Sequence, residues 1–290
     1  MTTPLKTTAL RPPKAPNLPI APVDYSQQYQ DQVLNALRLY FNQIDNFGYG
    51  LTNTSNGGGG ALLSFPYFSA YQNGTTTLSA NMTNVSTTPI QVASTADFAS
   101  AGYLLIENEI VQYTTKTATT FDGTVTRGVK GTTNVAHTAG VYITEVAAVT
   151  STTSATMVLD TITMSNGITC SVPSSQIYFT NAGVYNLQFS AQLFNYTTSD
   201  DNVTIWVRKN GVDVNASAGI QQINPKHGTS PGAIIAGWNY VDSYNAGDYV
   251  EVVWASETGN TVLATYPPGT SPTHPASPSL ILTVTFVSAA

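Results

Sequence analysis

Between Ile177 and Val214 the chain keeps a two-residue hydrophobic period, the signature of a half-buried β-strand. Tyr185, Leu187, Phe189, Ala191 and Leu193 alternate with Asn186, Gln188, Ser190 and Gln192, which sorts apolar and polar side chains onto opposite faces of an extended segment. After the polar turn Thr197-Thr198-Ser199-Asp200-Asp201, the residues Val203, Ile205 and Val207 alternate against Thr204, Trp206 and Arg208. Asn210-Gly211 follows, where a two-residue hairpin turn needs positive φ twice. Strand, loop, strand, tight turn, strand is the expectation, with Tyr185, Leu187, Phe189 and Leu193 in the core or in a subunit contact. Trp206 is out of phase with the apolar row and faces away from it. A second core sheet, solvent or a subunit contact would each accommodate it; the last is favoured because aromatic residues are enriched in interface cores. Carbohydrate stacking is the competing use of the same ring.

An aromatic and a small polar turn precede Gly183-x-Tyr185-x-x-x-Phe189, and the next strand ends in Arg208-Lys209-Asn210-Gly211. This arrangement resembles the globular head of the complement and tumour necrosis factor superfamily. The resemblance implies a trimeric β-jelly roll of the kind that bacteriophages carry on virion fibres, here over residues 147–290. Strand candidates at 157–162, 168–172, 233–240, 248–254, 261–266 and 280–287 are separated by polar turns and carry no helical signal, which independently calls for a two-sheet sandwich.

Charged residues make up only 9% of the chain, against about 25% in ordinary soluble domains, so Thr, Ser, Asn, Gln and Gly must cover the surface. The net charge of −6 argues against nucleic-acid binding, which needs Lys and Arg to neutralise phosphates. Cys170 is the only cysteine, so an intrachain disulfide framework is excluded and oligomerisation becomes the expected source of durability. Neither a secretion-type apolar run nor a stretch of about 20 apolar residues is present. Membrane insertion is therefore not expected, and release by cell lysis, the route of phage virion proteins, fits.

Residues 1–24 contain prolines at 4, 12, 13, 16, 19 and 22, which preclude a helix or a central strand. An extended arm that docks on a larger particle through Pro12, Pro13, Pro16, Pro19 and Pro22 is one reading; a disordered tail is the other. Residues 25–47 read as a helix in which Val33, Leu37, Tyr40 and Ile44 fall at alternating four- and three-residue steps, a coiled-coil seam of about two heptads. A three-helix junction and a helix folded on its own domain both use such a stripe. Residues 48–79 read as a Gly-rich hinge, Gly57 to Gly60, followed by an aromatic connector. The opening from Pro13 to Asn46 resembles the start of small virion-associated proteins of tailed phages.

Residues 80–146 read as a separate small β-module, with a hairpin around Glu107-Asn108-Glu109 and a tight turn at Asp122-Gly123. Its run Thr126-Arg127-Gly128, Gly131-Thr132, Ala136-His137-Thr138-Ala139-Gly140 is similar to a module recurring in phage tail and virion proteins. No catalysis is implied by that similarity.

His137, His227 and His274 lack metal-ligand spacing. Asp200 and Asp201 together could attract calcium, although two acids in a Ser/Asn loop more commonly form a turn. No nucleophile elbow or phosphate-cradling loop appears, so the expectation is a protein without catalytic residues, metal or cofactor. Taken together, these features describe a homotrimeric capsid decoration or head-fibre protein on the virion exterior. Its partner would be the major capsid protein or another virion protein, and its head would contact host surface polysaccharide. A short tail fibre anchored through a tail or adaptor protein is the near alternative, and a soluble lectin-like binding protein the more distant one.

Overall fold

The computed structural model describes residues 14–20, 22–24, 27–52, 65–86, 89–172 and 174–289. Pro12, Pro13 and the Gly57 to Gly60 run lie outside the described residues. The chain forms two compact units, Met1–Phe65 and Pro66–Ala290.

In the first unit a single helix spans Gln27–Thr52. It runs past residue 47, through Gly48 and Gly50, although each glycine costs a helix interior about 1 kcal/mol. Val33, Leu37 and Tyr40 are partly buried, whereas Ile44 is exposed, as are Leu34, Leu39 and Phe41 on the flanks of the stripe. Pro19, Ile20 and Pro22 lie beside Gln28, Tyr29 and Gln32, so the arm folds back along the first turns of the helix. Pro16 sits in irregular chain just before them.

The second unit is a β-sandwich with an elaborated end. In its first sheet Thr161–Asn166, Tyr67–Gln72, Leu280–Ser288, Gly183–Asn195 and Gly232–Tyr244 lie side by side in that order. Its second sheet runs Ile168–Ser171, Gln176–Phe179, Tyr249–Ser256, Asp201–Lys209, with Gly219–Ile223 and Val212–Asp213 along the last strand's outer edge. All these pairings are antiparallel. The alternating rows of the sequence meet between the sheets. Tyr185 and Leu193 are fully buried, Leu187 and Phe189 nearly so, and Val203, Ile205, Val207 and Trp254 face them without exposure. Each such side chain contributes about 1.5–3 kcal/mol by leaving water. The hairpin turn after Lys209 has Asn210 at φ 51° and Gly211 at φ 79°, the left-handed pair that a two-residue turn matching the strand twist requires.

Tyr67–Gln72, expected as part of a connector, is a strand of the sandwich. Its aromatic-polar interleaving is itself a strand period: Phe68 and Ala70 are buried in the core while Tyr67, Ser69 and Tyr71 look outward. The module likewise begins earlier than residue 80, because Thr75–Thr77 pairs with Tyr142–Ala148. Nor is the module detached. Where Gly183–Asn195 outruns Leu280–Ser288, Thr261–Ala264 pairs with its end, and Tyr142–Ala148 pairs with Thr261–Ala264 in turn. Gly102–Ile106, Glu109–Tyr113 and Thr126–Val129 extend the same sheet into the module. The module keeps a core of its own around Leu104, Val111, Tyr113, Phe121 and Ile143. A further cluster of Leu105, Ile110, Val146, Phe194, Tyr196 and Val262 welds it to the sandwich.

Candidate functional site

The outward face of the first sheet has an unusual chemistry. Strand alternation and register place Val184, Asn186, Gln188, Ser190 and Gln192 there from the central strand. Ile235, Gly237, Asn239, Val241 and Ser243 come from one neighbouring strand, and Ile281, Thr283 and Thr285 from the other. Tyr67, Ser69, Tyr71 and Met164 complete it. No Asp, Glu, Lys or Arg stands among them. Ile235, Val241 and Met164 are 62%, 50% and 57% exposed. Five strands at about 4.8 Å make this face roughly 20 Å wide. Desolvating such a face involves amides and hydroxyls, which need hydrogen-bond partners, but no ion, whose burial is far more costly.

The outward face of the second sheet is different. Trp206 is partly buried there and donates from Nε1 to Asp213 Oδ1 at 2.8 Å, and Arg208 Nε donates to the same oxygen at 2.8 Å. Tyr178 and Tyr249 pair across strands on this face with ring centroids 5.2 Å apart. The structure therefore does not bring Trp206 together with Tyr185, Leu187, Phe189 and Leu193. Those four are core, and the Trp206 ring lies on the far side of the second sheet from them.

The module holds a buried charge cluster whose members sequence reasoning left apart. Glu109 is wholly buried, and both its oxygens are saturated. Oε1 accepts from Arg127 Nε at 2.6 Å and Gly128 N at 3.0 Å; Oε2 accepts from an Arg127 terminal nitrogen at 2.7 Å, Val135 N at 3.0 Å and His137 Nε2 at 2.8 Å. The guanidinium spends its remaining donors on the carbonyls of Thr83, Ser86 and Val135. His137 Nδ1 lies 2.7 Å from Glu107 Oε2. Both ring nitrogens thus face carboxylates. Burial by itself would lower the His137 pKa, but the bonds and charges of Glu109 and Glu107 outweigh it and raise the value. Burial would raise that of Glu109, yet His137, Arg127 and the Val135 N–H bring it down to about 2. A cation pair facing a carboxylate pair is the result, with every strong donor used. Its work is to fix the Thr126–Val129 strand and the 132–137 loop on the hairpin, rather than to offer a group for chemistry.

Asp201 is also buried and spent. Its oxygens accept from Ser256 Oγ at 2.6 Å and from the backbone N–H groups of Thr261 and Thr258 at 2.9 and 3.1 Å. Burial opposes ionisation there, and these bonds prevail to lower its pKa. Asp200 instead accepts from Gln222 at 2.9 Å, so the two acids serve separate turns. His227 is exposed where it flanks a tight turn, and His274 is exposed in the short strand Thr273–His274. Burial pushes the Cys170 thiol up to about 11, which keeps it protonated and unreactive at neutral pH.

Sequence reasoning missed Glu109, taking it for part of a turn. The available signal was scarcity: in a chain with so few charges, an acid, an Arg and a His within one small module are strong candidates for one another. No known family model and no curated protein matches the chain.

Proposed function

We propose that the chain is a structural subunit of a tailed-phage virion that assembles as a homotrimer through the uncharged face of the first sheet. That face carries the reading. A broad, ion-free sheet surface studded with Ile235, Val241, Ile281 and Met164 suits burial against a different surface of a neighbouring copy, as a three-fold ring requires, in keeping with the depletion of charge at interface cores. The strand order supports a jelly roll, since the first strand of the sandwich, Tyr67–Gln72, lies beside the last, Leu280–Ser288, which lies beside the central one. The helix stripe of Val33, Leu37, Tyr40 and Ile44 serves as a three-helix junction, and the proline arm as the anchor on the particle. Capsid decoration is preferred to a tail position because the part of the proline arm that precedes the segment folded on the helix is long enough to lie across a shell. The sandwich then points outward, towards the host surface.

Light scattering on the purified full-length chain tests the assembly: three times the 30.7 kDa of one chain is expected, and a monomer would remove the reading. Deleting residues 1–22 should leave that mass corresponding to three shortened chains while abolishing incorporation into particles. Labelling confined to the tail would replace capsid decoration with a tail-fibre role.

A further inference from the structure

At the junction of module and sandwich, three loops surround a cleft of about 380 Å³. The first is the two-residue tip, Glu107-Asn108, of the hairpin whose register closes at Ile106 and Glu109. The second is the tip Gly228-Thr229, closed by reciprocal backbone hydrogen bonds between His227 and Ser230 at 2.9 and 3.1 Å. The third is Gly131–Thr133, and Tyr196, 3% exposed, closes the cleft towards the core.

These walls are held in place before any ligand arrives. Lys226 ties the second loop down twice, from its backbone N–H to Thr197 O at 2.8 Å and from Nζ to Gly131 O at 2.8 Å. Thr132 Oγ accepts from Ile110 N at 3.0 Å and donates to Val129 O at 2.7 Å. Glu107 stands at φ 55°, a conformation that non-glycine residues seldom adopt, with its carboxylate bonded to buried His137. Preorganised loops on a rigid scaffold are a usual place for recognition, because no ordering cost falls on binding.

The lining is amphipathic and electrically balanced. Among the described residues, Asn108, Thr133 and Thr229 are exposed and make no side-chain hydrogen bond to the protein. Glu107 contributes one negative charge and Lys226 one positive. Val135, 44% exposed, adds an apolar patch beside Tyr196. A phosphate-bearing ligand would need a surplus of cations, and a lipid a continuous apolar wall. Hydroxyl and amide groups that can donate and accept, together with a small apolar surface, match a sugar ring, which has polar edges and apolar C–H faces. We infer that this cleft is a saccharide-binding site for an uncharged or amide-bearing glycan. The inference stands on the cleft and is independent of the trimer; the virion reading adds only the source, a bacterial cell-surface polysaccharide.

The test uses the full chain on a printed array of bacterial polysaccharides and their constituent mono- and disaccharides, with titration calorimetry on any hit. Saturable binding is expected, weakened about tenfold or more by Asn108→Ala with Thr133→Ala, which remove polar partners. Thr229→Arg should abolish it by filling the cleft. Trp206→Ala, on the outer face of the second sheet, should leave it unchanged. The inference is overturned if no array glycan binds, if binding survives Thr229→Arg, or if Trp206→Ala removes it. Light scattering run in parallel separates the two readings, since a monomer that binds glycan through the cleft keeps this one and loses the trimer.

Discussion

Arg127 and Glu109 meet in two parallel hydrogen bonds of 2.6 and 2.7 Å, with the guanidinium 5% and the carboxylate 0% exposed. A buried pair of this kind adds little relative to a hydrophobic replacement, but losing one partner strands the other charge. Arg127→Ala should therefore destabilise the β-unit by about 3–5 kcal/mol, read from urea unfolding. Arg127→Met with Glu109→Leu should recover part of that loss. Equal costs for the single and double replacements would show that the pair is not the source.

The same cluster sets a pH window. Glu109 titrates at about 2 when folded against an ordinary 4.5, so its contribution is full above pH 4.5 and disappears as the pH falls towards 2. His137 has a raised pKa, and its contribution is full below its ordinary 6.5 and is lost as the pH rises through the folded value. The margin between wild type and Glu109→Gln in thermal melts should shrink on acidification below 4.5, and that between wild type and His137→Gln on alkalinisation above 6.5. A margin that stays flat across either range would rule out the corresponding titration.

Gly131 has φ 80°, and a Cβ there would stand 2.7 Å from the Thr197 side chain and 2.9 Å from the Tyr196 carbonyl oxygen. Gly131→Ala should cost about 1–3 kcal/mol through backbone strain alone, with the clash added. Gly140, at φ 94° with nothing near, supplies the control: Ala there should cost only the strain. Chemical denaturation of the two variants gives the comparison, and equal costs would argue against a tight module–sandwich junction.

Gln188 and Asn239 are cross-strand partners on the uncharged face. Gln188→Glu with Asn239→Asp adds two like charges with almost no change of shape. The folded chain should lose no more than about 1 kcal/mol, as expected for like charges on neighbouring strands, while the assembly falls to monomers. Sedimentation at several salt concentrations reads this, and a trimer that survives would move the contact elsewhere.

Much of the sandwich was legible because its signal is local. The Tyr185 to Leu193 and Val203 to Val207 rows and the Asn210-Gly211 turn carry their own periodicity and φ demands, and no distant partner is needed to recognise them. Tyr67–Gln72 was not legible as a sandwich strand, since its neighbours are Leu280–Ser288 and Thr161–Asn166 and the whole module intervenes. The Arg127 and His137 pattern was visible, but its meaning depends on a hairpin that presents Glu109 and on a backbone bridge between His137 and Met82. The cleft depends on turns from the module and from the sandwich and leaves no trace in any one segment.

The embrace of Tyr67–Gln72 by Leu280–Ser288 also sets a timetable. On the ribosome the first strand of the sheet emerges long before its main partner is made, and at 5–20 residues per second the wait is on the order of ten to forty seconds. Through that interval the sheet is open at its centre, with Phe68, Tyr185 and Leu187 lacking the strand that will cover their edge. Completion is possible only once Leu280–Ser288 has emerged, so a chain stopped before that strand leaves a sticky sheet edge rather than a finished sandwich. Synthesis of Leu280–Ser288 is thereby a checkpoint for closing the sheet.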